Sequence, residues 1–177
     1  MDKKQEYIIN LITLAHRWIE IADRKATILL SISSALLTVA PVTIAKIDNI
    51  NKTTIAVAMT VDVIAILFSL LVLSPRLNRL TILDKIKPPK DSDTKVLKLS
   101  PTYFGDMATL SKSEYKSHIN QILQDKTENS IEEDRLEQAY SLNIIALKKM
   151  KGVRVAAFFY FLSIAIITTS SITAYNN

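Results

Sequence analysis

Asp62 is the single acid in the otherwise apolar stretch Thr53 to Ser74. A charged carboxylate at the centre of a membrane helix costs about 2.5–3.5 kcal/mol on insertion scales, so such a group must face protein or water, or hold a proton. Two roles fit it. It is part of a polar seam that opens in an oligomer, or a neutral acid bonded to hydroxyls of a neighbouring helix. In the preceding apolar run, Thr27, Ser31, Ser34 and Thr38 are spaced four, three and four apart and so share one helix face. Small hydroxyl residues let helices approach closely and bond across to a neighbour. They equally bond to their own backbone carbonyls. Ser31, Ser34, Thr38 and Asp62 are therefore the candidates for lining a pore or packing a helix interface.

Other chemistry is scarce. The chain has no Cys and only two His, His16 and His118, far apart in sequence. Thiolate metal sites, thiol nucleophiles and disulfides are excluded. No Rossmann glycines, phosphate-binding loop, zinc-protease motif or Ser-His-Asp order is present. Nothing in the motifs points to an enzyme, a metal site or a nucleic-acid partner.

The elements that must carry these residues follow from charge. Ala26 to Ala45 is uncharged throughout, Thr53 to Ser74 has only Asp62, and Val155 onward carries no charge. A hydrocarbon core of about 30 Å needs roughly 20 apolar residues at 1.5 Å rise. Each run is long enough to cross. A cleavable signal peptide is the rival reading of the first run, but 25 polar or amphipathic residues precede it and it has full spanning length. The expected fold is an all-α membrane protein with three transmembrane helices, an N-terminal amphipathic helix and a cytoplasmic helical layer. Within the 177 residues, a single domain is divided as a cytoplasmic amphipathic helix over 1–25, spans over 26–46, 53–74 and 153–174, and a cytoplasmic helical segment over 75–151.

Lys and Arg set the expected orientation. Lys3, Lys4, Arg17, Arg24 and Lys25 precede the first span. Arg76, Arg79, Lys85, Lys87 and Lys90 follow the second, and Lys148, Lys149, Lys151 and Arg154 lead into the third. By the positive-inside rule the N-terminus and the 75–154 segment are cytoplasmic, with the C-terminal tail outside. The net charge of +5 then sits on the inner face, where anionic lipid attracts it.

Between the spans the signals are local. Ile8, Leu11, Ile12, Ala15, Trp18, Ile19 and Ala22 fall at helical spacing, and no Gly or Pro separates them from the first span. This amphipathic helix either packs on the cytoplasmic part or lies on the membrane surface. Pro41 is expected to kink the outer end of that span. Residues 76–87 could form a short helix that Pro88-Pro89 stops, with a loose stretch over 90–100. Ser111 and Glu114 make a capping box that opens a helix over 112–124. A long helix from about Ile131 is expected to run into the third span, with Gly152 its weak point.

Four blocks, read in order, resemble the Pycsar effector transmembrane family. IEIADRKATILLSISSALL opens the first span with Ala22, Asp23, Arg24, Lys25 and Ala26 in place of that family's A-D-x-K-A signature. SPRL at 74–77, YFGDMATLSKSEY at 103–115 and QAYSLNIIALKKMKGVRVA at 138–156 are similar to its later blocks. The resemblance implies a bacterial antiphage effector of the inner membrane. It would sense a cyclic nucleotide made by a partner cyclase, with cUMP or cCMP favoured, and disrupt the membrane to halt the infected cell. Many relatives place an extra soluble domain ahead of the spans. Here the sensor must come from 1–25 and 75–154, or from a separate protein.

Such a ligand offers one phosphate charge, hydrogen-bonding base edges and a stacking face. Lys25 and Lys148 suit the phosphate, Tyr103, Phe104, Tyr115 and Tyr140 the stacking face, and Asn143 and Gln138 the base edges. The same aromatics are also plausible core, Lys148 and Lys149 plausible inner-face anchors, and Asp23 with Lys25 a plausible structural ion pair. Three spans enclose no wide polar pore, so the expected leak needs a homo-oligomer in the lipid bilayer. The alternative is a constitutive small ion-conducting or structural membrane subunit without ligand response.

Overall fold

The computed structural model describes residues 3–44, 52–74, 104–108, 110–123 and 130–176. The expected helix over 76–87, its Pro88-Pro89 stop and the 90–100 stretch lie outside them. Among the described residues five helices follow in order: α1 (Lys3–Ile44), α2 (Lys52–Leu73), α3 (Phe104–Met107), α4 (Lys112–Leu123) and α5 (Ser130–Asn176). No strand occurs among the described residues. α1, α2 and α5 are long and apolar enough to cross a membrane. The protein is an all-α membrane protein.

Both long helices are continuous for the reason the sequence suggests. α1 runs from its amphipathic start through its uncharged half as one helix of 42 residues, with Pro41 in its last turn. There the proline still forgoes the bond to the carbonyl four residues back, but only three residues of the helix lie beyond it. α5 is likewise one helix of 47 residues.

Packing divides the chain into two units. One takes Met1–Ile21 and Arg76–Met150, the other Ala22–Pro75 and Lys151–Asn177. The first has an ordinary hydrophobic core of Ile8, Leu11, Met107, Leu110, Tyr115, Ile119, Leu136 and Ala139. Full burial of an aliphatic or aromatic side chain such as Ile8 or Ile119 contributes about 1.5–3 kcal/mol, so apolar contact holds this unit. Ion pairs Lys112–Glu137 (2.6 Å) and Lys116–Glu133 link α4 to α5. Both are at least partly exposed, and pairs in contact with solvent contribute at most about 1 kcal/mol.

The second unit is packed differently. Its buried residues on α2 are Ile55, Ala58, Asp62, Ala65, Ser69 and Val72, a three-four alternation that defines one seam. Ala26, Ser33 and Ala40 supply the seam of α1, and Gly152, Val153, Ala156 and Ser163 that of α5. These are small side chains. Without a hydrophobic force between helices in lipid, close approach and interhelical hydrogen bonds do the holding. Phe68 and Phe159 stack with ring centroids 5.9 Å apart, and the Ser163 hydroxyl donates to the Ala58 carbonyl at 2.9 Å. Larger apolar residues such as Ile28, Val57, Leu67, Phe158 and Phe161 point outward, as suits a hydrocarbon solvent.

Gly152 matters here for space rather than for helix propensity. A Cβ built on it would lie 2.5 Å from Val72 Cγ2. The position noted as a weak point in α5 is one where α5 and α2 approach closely.

Candidate functional site

In the first unit the polar chemistry gathers where α4 starts. The Ser111 N–H donates to Glu114 Oε2 at 2.7 Å, and the Glu114 N–H donates to Ser111 Oγ at 3.3 Å. This reciprocal box satisfies two of the backbone donors that a helix start leaves free. The Ser111 hydroxyl, and then its N–H, hold the Glu114 carboxyl below the usual glutamate range. Glu133 is lowered likewise by its hydrogen bond and charge pairing with Lys116.

The cap fixes Tyr115 one residue on, facing inward. Its ring meets that of Tyr140 at 5.4 Å between centroids and 45°. The two hydroxyls have different fates. Tyr140 donates to the Leu110 carbonyl at 3.1 Å. The Tyr115 hydroxyl is buried without a hydrogen bond, and so is that of Tyr7 on α1. Asn143 faces the Tyr115 phenol from α5, one turn beyond Tyr140, yet the pair falls short of hydrogen-bond geometry. Burial pushes the Tyr115 hydroxyl well above the ordinary range; nearby Tyr7 adds to this and Asn143 opposes it. His118 Nε2, one turn along α4, also lacks a partner. Buried hydroxyls without hydrogen bonds each cost on the order of 1–3 kcal/mol, and Tyr7 and Tyr115 are two within one small core.

The proposed ligand residues are thus divided. Tyr115, Tyr140 and Asn143 come together, and Tyr115 and Asn143 are enclosed at 1% and 6% exposure. Lys148 is half-buried on α5, and Lys25 is exposed on α1 in the second unit. Tyr103 lies outside the described residues. Phe104 opens α3, and its side chain is outside them too. Tyr7 was not singled out from sequence. Its position four residues before Leu11, on the apolar side of α1, was the available signal.

The second unit has its own polar centre. Asp62 and Ser33 are each 1% exposed, and neither Asp62 oxygen nor the Ser33 hydroxyl makes a hydrogen bond. Ser33 faces Asp62. Ser31, Ser34 and Thr38 lie elsewhere on α1, exposed. The Ser31 hydroxyl donates to the Thr27 carbonyl at 3.0 Å, and that of Thr38 to the carbonyls of Ser34 and Ala35. Within one chain the face that carries those hydroxyls is not the face that meets Asp62. Among the described residues, no group of three or more His, Cys, Asp or Glu could hold a metal ion.

Three apolar helices joined to a small polar helical unit define a multi-pass membrane protein. The Pycsar effector protein domain matches residues 7–175, nearly the whole chain, and the protein belongs to that family of bacterial antiphage defence effectors. No curated protein and no solved structure matches it.

Proposed function

We infer that this effector senses a cyclic nucleotide, cUMP or cCMP in the first instance, made by a partner cyclase on infection. Binding favours a homo-oligomer or rearranged bundle that breaches the inner membrane, and the infected cell stops. The protein acts by binding and insertion, not by catalysis, with its N-terminus and the Arg76–Met150 segment in the cytoplasm and its C-terminus outside.

The observation that carries the reading is the group of buried, unsatisfied polar atoms on Tyr7 and Tyr115 beside Asn143, in the unit that lacks the spanning runs. A base edge that reached them would gain hydrogen bonds that the unliganded core forgoes, while the Tyr115–Tyr140 pair offers a stacking face. Because Tyr115 is enclosed, access requires α4 to shift from α5. A ligand that binds only the shifted arrangement drives the population toward it.

Dye leakage from liposomes carrying the purified protein, with cUMP, cCMP, cAMP and cGMP supplied separately, tests this. Leakage with one nucleotide is the expected result. Leakage without any nucleotide would favour a constitutive conducting subunit, and none under any condition would favour a structural one.

A further inference from the structure

Asp62 stands apart from the nucleotide reading. Each oxygen of its carboxyl group is buried without a hydrogen bond, and Ser33, which faces it, is equally buried and equally unpartnered. Ser163 reaches α2 one turn earlier but donates to the Ala58 carbonyl, and Ser69, on the same seam, donates to the Ala65 carbonyl. Neither is left to solvate an anion.

Among the described residues no counter-charge acts on it. The charged residues described on the three helices of this unit are Asp23, Arg24 and Lys25 on α1, Lys52 on α2, and Lys151 and Arg154 on α5. At 1.5 Å per residue, Lys25 is about 12 Å along its helix from Ser33 and Lys52 about 15 Å from Asp62. Arg154, exposed on α5, is about 9 Å along its helix from Tyr160, the level that the Ser163–Ala58 and Gly152–Val72 contacts set for Asp62. Tyr160 is the other titratable group described in the middle turns, and its phenol carries no compensating charge.

We propose that Asp62 and Ser33 form an intramembrane proton site: in this packed bundle Asp62 holds a proton, and loss of that proton is linked to opening of the bundle to water. A single hydroxyl cannot satisfy the four acceptor positions of a carboxylate, and an ion without partners in a dry interior neutralises instead. A neutral carboxyl group adds an O–H donor that Ser33 can accept. The sign follows from linkage. The packed state binds one proton more than an opened, hydrated state, so raising pH favours opening. This device rests on the membrane bundle alone and does not require the nucleotide reading.

The first test is infrared spectroscopy of the protein at neutral pH in vesicles of ether-linked phosphatidylcholine and phosphatidylglycerol, whose lipids carry no ester carbonyl. The carbonyl stretch of a neutral carboxylic acid should be present and should vanish in Asp62→Asn. Its absence from the wild-type protein overturns the proposal. Should the variant not insert, an apolar carbodiimide serves on the wild type. It adds only to a protonated carboxyl group, giving an N-acylurea, and mass mapping must place the adduct on Asp62.

Opening is read separately. Because the chain has no Cys, Ser69→Cys introduces a unique thiol on the buried seam. Labelling of that thiol by a membrane-impermeant maleimide should rise with pH more steeply with Asp62 present than with Asp62→Asn. The excess reaches at most about tenfold per pH unit, as one linked proton allows. Identical pH profiles in the two backgrounds would overturn the link to opening. Neither readout needs a nucleotide or a leak, so failure here is distinguishable from failure of the sensing reading.

Discussion

Gly152 and Val72 meet so closely that a Cβ on the glycine would sit 2.5 Å from the valine's Cγ2. In an α-helix, Gly→Ala normally adds up to about 1 kcal/mol of stability. Overpacking a tight contact costs about 1–3 kcal/mol, which outweighs it. Gly152→Ala should therefore lower the thermal stability of the detergent-purified protein. The added substitution Val72→Ala should restore much of the loss. A gain in stability from Gly152→Ala alone would refute the close approach.

The two tyrosine hydroxyls of the polar unit should respond with opposite signs. Tyr140→Phe removes a bond to the Leu110 carbonyl and should cost about 1 kcal/mol. Tyr115→Phe removes an unpaired buried hydroxyl and should leave stability unchanged or raise it. If a nucleotide uses that hydroxyl, the stable Tyr115→Phe protein should still insert yet lose its leakage response. Stability curves and leakage on the same preparations separate the two effects.

Ser111→Ala should destabilise the start of α4 by about 1 kcal/mol, the usual cost of losing such a cap. Acid should do part of the same work. The Glu114 carboxyl lies below its ordinary range because of the Ser111 hydroxyl and N–H. Its contribution is present above the ordinary glutamate pKa and disappears as pH falls through the lowered one. Protection factors for hydrogen exchange in residues 112–123, taken relative to the intrinsic rate at each pH, should accordingly fall on acidification, and Glu114→Gln should flatten that fall.

Ser163→Ala breaks the hydroxyl link from α5 to the Ala58 carbonyl. Interhelical bonds of this kind in membranes average about 0.6 kcal/mol, and the carbonyl keeps its place in the α2 backbone ladder. A small loss in SDS-unfolding midpoint is expected; collapse of the fold would mean that the hydroxyl does more than hold two helices.

Much of this architecture was legible from charge alone. An uncharged run of spanning length admits few alternatives, and Ser111 with Glu114 announced α4 by a local bonding pattern that needs no tertiary context. The seam of α1 was harder. Ser31, Ser34 and Thr38 do share a face, but periodicity identifies a face without saying which way it points. The buried hydroxyl is Ser33, in line with Ala26 and Ala40 at seven-residue spacing, a signal carried by small size rather than polarity. Among the proposed ligand residues, Tyr115, Tyr140 and Asn143 converge because a helix cap and one α5 turn set them. Lys25 was chosen only for its charge and a resemblance, and it lies exposed in the other unit. For Gly152 the sequence shows only its low helix propensity, a property of one helix, whereas the contact with Val72 involves two.

The outward hydroxyls of the spanning helices change what lipid meets. Thr27, Ser31, Thr38, Thr60, Thr168 and Thr173 each donate back to a carbonyl in the preceding turn. With the donor committed, the surface behaves toward acyl chains almost as alkane, although its formula is polar. It is a reserve of hydrogen bonds held in escrow. Another helix that offers an acceptor can receive any of these donors by a torsional turn of one side chain, with no net change in the number of bonds, so the outer face carries latent adhesion that hydropathy does not register.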